Sequence, residues 1–273
     1  MSWVEIRSIA PVDLLRDFKE AASSNGLTVY ASAIAYRALV ASIPLLLLGL
    51  TLLSAFGLES TWTNSIRPAV DAHVEQPVGH AIDFTVAQIF NGNSTGLMIF
   101  AAAWVWWNVS LAISTVMAAL NRIHDVHEHR SLRVRVGTAA ALAAGVAVLL
   151  ISSILVMSAA PLIGAGPLHL VFGIGRWIVA PLLLIVAVTL LFRFAPAEHP
   201  ETEWASAGSV LVVLVWLATS GVFVWWVQVA NYKSSTGNLT VLLTITLYAF
   251  ISSAIFLFGA QLDELLRQRT TAR

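Results

Sequence analysis

Six apolar runs dominate the chain, each near or beyond the ~20 residues that carry a helix across the ~30 Å hydrocarbon core of a bilayer. They fall at about 28–56, 95–120, 136–160, 177–194, 205–229 and 239–262. The alternation of apolar and polar residues that a membrane strand needs is missing, and continuous stretches such as PLLLIVAVTLL suit helices. Inside hydrocarbon a helix satisfies its own backbone N–H and C=O groups, so the expected fold class is all-α: a polytopic membrane protein with six transmembrane helices. Charge agrees. Only 11% of the 273 residues are charged, against about 25% in a soluble domain, and almost all of them lie between the runs. The chain then divides into a cytoplasmic amphipathic segment (1–27), the six-helix domain (28–262) and a cytoplasmic tail (263–273).

Orientation follows from the arginines and lysines. With six spans, one set of flanks holds eleven of them and the other only Arg67, Arg176 and Lys233, leaving Arg37 aside. That asymmetry puts both termini in the cytoplasm. The N-terminus has acidic and basic residues and no early apolar core, so the first span is expected to act as the targeting signal. Zero net charge gives no field for nucleic acid, and the absence of cysteine excludes disulfides and thiolate chemistry.

Two shorter segments are amphipathic. PVDLLRDFKEAASS groups Val12, Leu14, Leu15, Phe18 and Ala22 near one face, which suits a helix lying along the inner leaflet or one packed on the cytoplasmic loops. The one long outer loop, 57–94, contains PVGHAIDFTVAQIF, which predicts a helix over 77–91 with Ile82, Val86 and Ile89 turned toward the bundle. The other outer connections, PLIGAGPLHLVFGIG and ANYKSSTGN, read as short loops. Gly137, Ala141 and Gly145 form a small-residue stripe for close helix packing, and Ala101–Ala103 open the second span. Trp62, Trp177, Trp225 and Trp226 fall near the outer interface and Trp204 near the inner one, as an aromatic belt. Trp104, Trp106 and Trp107 lie mid-span, either in helix–helix packing or on a substrate-lining surface.

The first span, VYASAIAYRALVASIPLLLLGLTLL, carries Arg37 and Pro44. If hydrocarbon begins at residue 28, Arg37 lies about 13 Å deep; if it begins at residue 38, Arg37 is an interfacial anchor. Tyr30, Ala33, Arg37, Ala41 and Pro44 share one stripe, which faces protein or a cavity more readily than lipid. Pro44 frees the carbonyl of Val40 and favours a kink. No Asp or Glu lies within the six spans, so coupling through an intramembrane carboxylate is not indicated. Polar partners for Arg37 come from Asn121 or Asp263, with Asp125, Glu128, Glu264, Asn108 and Gln261 also near span ends or within spans. The candidate cavity-facing set is Arg37, Tyr36, Pro44, Asn108, Asn121 and Asp263.

Other clusters carry weaker signals. His124, His127 and His129 sit with Asp125 and Glu128, but without H-E-x-x-H spacing they read as a charged turn facing headgroups rather than a metal site. Glu198, Glu201 and Glu203 form a stiff acidic turn with no nucleophile nearby. Asp71, His73, Glu75 and His80 suit a wet outer surface. No metal and no cofactor are expected.

Four places together resemble the YihY/BrkB family of integral membrane proteins, formerly labelled ribonuclease BN. They are AIAYRALVASIPLLLLGL, LNRIHDVHE, RFAPAEHPETEWASAGSVLVVLVW and GNLTVLLTITLYAFISSAIFLFGAQLDELL. Within them Ala33, Ala35, Tyr36 and Pro44, Asn121 and Arg122, Pro196 and Gly208, Tyr232 and Gly237, and Gly259 and Ala260 follow the family pattern. Arg37, the acidic fourth loop and the Gln261–Asp263 ending depart from it. The resemblance implies a six-helix inner-membrane fold and a transport or export role, and supplies no catalytic residues. The expected partners are membrane lipids and a small amphipathic or anionic solute, with no nucleic acid. A scaffolding protein without transport is the alternative. A ribonuclease is disfavoured, because the short cytoplasmic segments offer neither a basic groove nor converging carboxylates.

Overall fold

The computed structural model describes residues 11–57, 59–68, 76–92, 95–158, 167–198, 206–229 and 237–271. Among them there is no strand. The helices are α1 (Pro11–Ser24), α2 (Leu27–Ala55), α3 (Gln76–Asn91), α4 (Thr95–Ile123), α5 (Leu132–Ser158), α6 (Pro167–Phe194), α7 (Ala207–Val229) and α8 (Gly237–Thr271). A turn at Glu59–Thr61 runs into a π-helical turn at Trp62–Ile66. Six helices are long and apolar enough to cross a membrane: Leu27–Ala55, Thr95–Ile123, Leu132–Met157, Gly173–Phe194, Ala207–Val229 and Leu242–Arg269. Asp71, His73, Glu75, Glu201, Glu203, Trp204, Tyr232 and Lys233 lie outside the described residues, as do the connections 159–166 and 230–236.

Two boundaries differ from the sequence reading. PLHLVFGIG is helix rather than loop, because Pro167 occupies the first helical position, where its missing N–H costs nothing and its fixed φ suits the helix. At the other end, α8 runs 35 residues without a break, so the stretch after Leu262 stays helical to Thr271.

The chain forms two compact units. Unit one is Met1–Ile34, Ile113–Ser220 and Ile251–Arg273; unit two is Ala35–Ala112 and Gly221–Phe250. In unit one, α1 docks on α8 through an edge-on Phe18–Phe258 contact with ring centres 5.6 Å apart and an Asp17–Arg269 ion pair. This amphipathic helix therefore packs against a membrane-length helix through Phe18. Gly26, at φ 64°, reverses the chain into α2.

Helices α5 and α6 form a hairpin. Ser153 donates to Ala180 O (3.2 Å), Arg176 donates to Met157 O (3.3 Å), and Gly145 faces Leu190. The packed face of α5 is Ala139, Leu142 and Ala143, whereas Gly137 and Ala141 are exposed. Of the expected small-residue stripe only Gly145 faces α6; TAAALAAG is small on nearly every face, and only the partner helix selects one.

A closer approach joins α7 to α8. A methyl group on Gly208 would lie 2.6 Å from Gly259 O, and one on Gly259 would lie 2.1 Å from Val212 Cγ2. Phe192–Phe256 and the Trp216–Ser252 hydrogen bond (3.1 Å) extend the core along α8.

In unit two, Val86 and Ile89 of α3 are buried and Ile82 is half-buried, as its periodicity predicts. An Arg67–Asp83 ion pair ties α3 to the turn that buries Trp62. Trp104, Trp106 and Trp107 are about half exposed, and Phe100 packs against Trp104.

Candidate functional site

The densest polar chemistry lies in unit one, where LNRIHDVHEHR meets the Ala-Pro-Ala after α6 and the GAQLDELL end of α8. It begins with how α4 stops. Val126 N–H bonds Asn121 O (2.9 Å), Asp125 N–H bonds Arg122 O (3.4 Å), and Asp125 has φ 51°. This is a Schellman ending, with aspartate where glycine is usual. The reversal returns the chain past the Asn121 side chain. Asn121, 6% exposed, donates to Glu128 Oε2 (3.0 Å) and accepts Ala197 N–H (2.7 Å). Arg130 grips both Glu128 oxygens (2.8 and 3.0 Å) and donates to Ala195 O (2.9 Å). Ala195, Pro196 and Ala197 are buried beneath this clamp. The Arg130 hydrogen bond holds the Glu128 carboxyl at about 2, well below the ordinary carboxylate range, against the opposing effect of burial.

Helix α8 supplies the second half. Gln261, Asp263 and Glu264 point about 0°, 200° and 300° around the axis at 100° per residue, so each meets a different element. Gln261 accepts Asn25 Nδ2–H from the α1–α2 turn (2.8 Å). Asp263 accepts Gly208 N–H in the first turn of α7 (3.2 Å) and a hydrogen bond from Ser206. Ser206 itself caps α7 by accepting Ser209 N–H (3.1 Å). Glu264, whose side chain is 1% exposed, accepts from Arg267 at both oxygens (2.8 and 2.7 Å) and from Gln268 (2.8 Å), and lies 3.5 Å from His124 Nε2. The α1–α2 turn, the end of α4 and the start of α7 thus converge on one end of α8.

The residues predicted from sequence are distributed differently. Asn121 and Asp263, expected to hold Arg37, spend side-chain oxygens on Ala197 and Gly208. Arg37 is half-buried in unit two, on the side of α2 that carries buried Ala41, Pro44 and Thr51. Tyr36, about 100° around the helix, is 68% exposed. Asn108 is buried and donates to Trp104 O of its own helix (2.9 Å). Sequence reasoning missed the clamp and the Asn25–Gln261 tie. The signals were the Asn-Gly before the first span and three polar residues at i, i+2 and i+3 in an apolar helix.

No three His, Asp or Glu side chains gather around a common point among the described residues. Unit two holds a concavity of its own. It is an apolar groove of about 450 Å³ in unit two, between Val222, Phe223, Trp225 and Trp226 of α7 and Thr240, Leu243, Thr244 and Leu247 of α8.

Six membrane-length helices, with no strand among the described residues and a polar knot at the span ends, define a polytopic α-helical membrane protein. Within that class the chain belongs to the family described as virulence factor BrkB, whose model matches residues 18–273. It is 24% identical to the ribonuclease-like protein YfkH of Bacillus subtilis (strain 168), over 88% of this chain and 90% of that protein. A UPF0761 membrane protein of Alkalilimnicola ehrlichii is 23% identical over 100% of this chain and 61% of its own length. The UPF0761 membrane protein Smlt0865 of Stenotrophomonas maltophilia is 25% identical over 85% of this chain and 56% of its own. The chain therefore spans a little over half of those two longer relatives. No solved structure matches it.

Proposed function

We propose that the protein is an inner-membrane transport protein, with both termini cytoplasmic, that handles an amphipathic or anionic solute or lipid. The observation that carries this reading is the groove between α7 and α8. Its walls are aliphatic and aromatic, and its polar groups are confined to two threonine hydroxyls and two indoles. Such a lining suits a long apolar tail that ends in a polar group. Arg37, half-buried on a stripe with Ala41 and Pro44, supplies a second feature of the same unit, a guanidinium suited to an anionic group.

Native mass spectrometry of the intact protein, released from nanodiscs of known lipids, tests the reading. A bound amphiphile is expected in the wild type. Thr244→Trp, which fills the groove, is expected to lose it while the fold is retained. For an anionic ligand, Arg37→Lys weakens binding by losing the planar fork, and Arg37→Ala abolishes it. An occupancy unchanged by all three substitutions overturns the proposal.

The scaffolding alternative draws on the polar knot, whose principal groups are satisfied by one another and so hold the helix ends rigidly. It predicts a folded protein with no ligand and no flux in liposomes. A nuclease reading gains nothing from the geometry. Nuclease chemistry needs carboxylates converging on metal, whereas Glu128, Asp263 and Glu264 turn to an arginine, a helix N-terminus, and an arginine–histidine pair.

A further inference from the structure

His124 raises a question of proton bookkeeping that can be answered from its two ring nitrogens. Nδ1 lies 2.8 Å from Leu120 O, and Nε2 lies 3.5 Å from Glu264 Oε2. A backbone carbonyl only accepts. Both oxygens of Glu264 are likewise acceptors, since Oε1 takes Arg267 and Gln268 and Oε2 takes Arg267. A neutral imidazole has one N–H and one lone pair. Whichever nitrogen carried the single hydrogen, the other would aim a lone pair at an oxygen. The Nε2 contact is of ion-pair rather than hydrogen-bond length, and only the doubly protonated ring brings a charge opposite to that of Glu264 while still donating to Leu120 O. Its position adds to this, because His124 closes the C-terminal end of α4, where the helix dipole favours a cation. The side chain is only 10% exposed, so little water remains to soften an unfavourable contact.

We propose that His124 and Glu264 form a proton-binding site that ties the end of α4 to α8 when occupied and releases it when empty. Among the groups around the ring, Asp263 also acts on His124 through its charge. From α8, Asp263 and Arg267 stand beside Glu264, with Asp263 committed to the start of α7 and Arg267 to Glu264. On the ring's own turn, Arg122, Asp125 and His127 are exposed, and Glu128 is held by Arg130 and Asn121. Glu198, after α6, is exposed; on α1, Arg16 pairs with Glu20, Asp17 pairs with Arg269, and Lys19 is exposed. The proton site stands apart from the proposed transport role, since it involves neither the groove nor Arg37.

The test is hydrogen–deuterium exchange of the intact protein in lipid nanodiscs at about pH 5.5 and about pH 8, which bracket the range where imidazoles change charge. After correction for intrinsic exchange, the amides of residues 124–126 are expected to exchange roughly tenfold more slowly at the lower pH, the readout of about 1.4 kcal/mol. His124→Gln keeps a hydrogen-bonding side chain without a titrating ring, and Glu264→Gln removes the carboxylate. Each is expected to abolish the pH difference. In the wild type, ¹⁵N-histidine spectra should show both His124 nitrogens protonated at the lower pH. Equal corrected exchange at the two pH values overturns the proposal, as does a pH difference that survives either substitution. So does a singly protonated His124 ring while the turn is protected, a measurement that stands even if neither variant folds.

Discussion

At Glu128 one carboxylate carries three jobs: it fixes Arg130, orients Asn121, and through both holds the Ala195–Ala197 segment in place. Its side chain is 22% exposed, so the pairing is shielded more than a surface salt bridge would be. With its pKa lowered from 4.5 to about 2, mainly by the Arg130 hydrogen bond, the folded state binds this proton less readily than the unfolded chain. The sign follows directly. The stabilisation is fully present above about pH 4.5, declines as pH falls, and is gone below about 2. Thermal melts of the wild type should therefore show a falling Tm across that window. Glu128→Gln should lower Tm at neutral pH and flatten its acid-side slope. A slope identical in the two proteins would mean that the clamp contributes nothing through this charge.

Between helices, the α7–α8 crossing is the place where a single methyl group decides the packing. A methyl on Gly208 would meet the Gly259 carbonyl at 2.6 Å and Asp263 Cβ at 2.7 Å, whereas one on Gly259 would meet chiefly a side chain, Val212 Cγ2 at 2.1 Å, with Gly208 O at 3.2 Å. A side chain can be trimmed and a backbone cannot. Both glycine-to-alanine changes are expected to cost about 1–3 kcal/mol or more by overpacking. Val212→Ala should recover much of the loss for Gly259→Ala and little for Gly208→Ala, as read by the denaturation midpoint in detergent. Equal rescue of both would place the strain elsewhere. The sequence made these elements legible unevenly. Apolar length located six spans, and period 3.6 located α3 and its buried Val86 and Ile89, because those signals are local. It gave no means of choosing the packed face of α5, where almost every residue is small, or of pairing Asn121 with residue 197. The sequence offers Asn121 as a partner for Arg37 because both are polar in apolar surroundings. Its side-chain oxygen accepts a backbone N–H 76 residues away, brought near only by tertiary packing.

Across the whole chain, the basic residues divide with the two units. Of the 15 lysines and arginines, Arg37, Arg67 and Lys233 fall in the ranges of unit two, and the other twelve in those of unit one. Acidic residues divide eleven to four in the same sense, so each unit is close to neutral and net charge gives no orientation. The orientation rule depends on arginine and lysine in short loops rather than on net charge, because carboxylates contribute little to it. Arg122, Arg130, Arg133 and Arg135 cluster within and beside the 124–131 connection, which the structure holds as a compact turn between α4 and α5. By contrast, the segment after α2 carries Glu59 before it reaches Arg67, and Arg67 is paired with Asp83. The expected topology therefore puts Ser131 in the cytoplasm and Ser60 outside, with an even number of spans returning the C-terminus to the side of the N-terminus. The chain has no cysteine, so one introduced thiol reports alone. Ser60 and Ser131 are both exposed, and neither residue takes part in the polar knot. In intact cells, a membrane-impermeant maleimide is expected to label Ser60→Cys directly and Ser131→Cys only after permeabilisation. Labelling of Ser131→Cys from outside, with Ser60→Cys protected, would invert the protein in the membrane. Labelling of both from outside would show that α4 does not cross, and the six-span topology would fail with it.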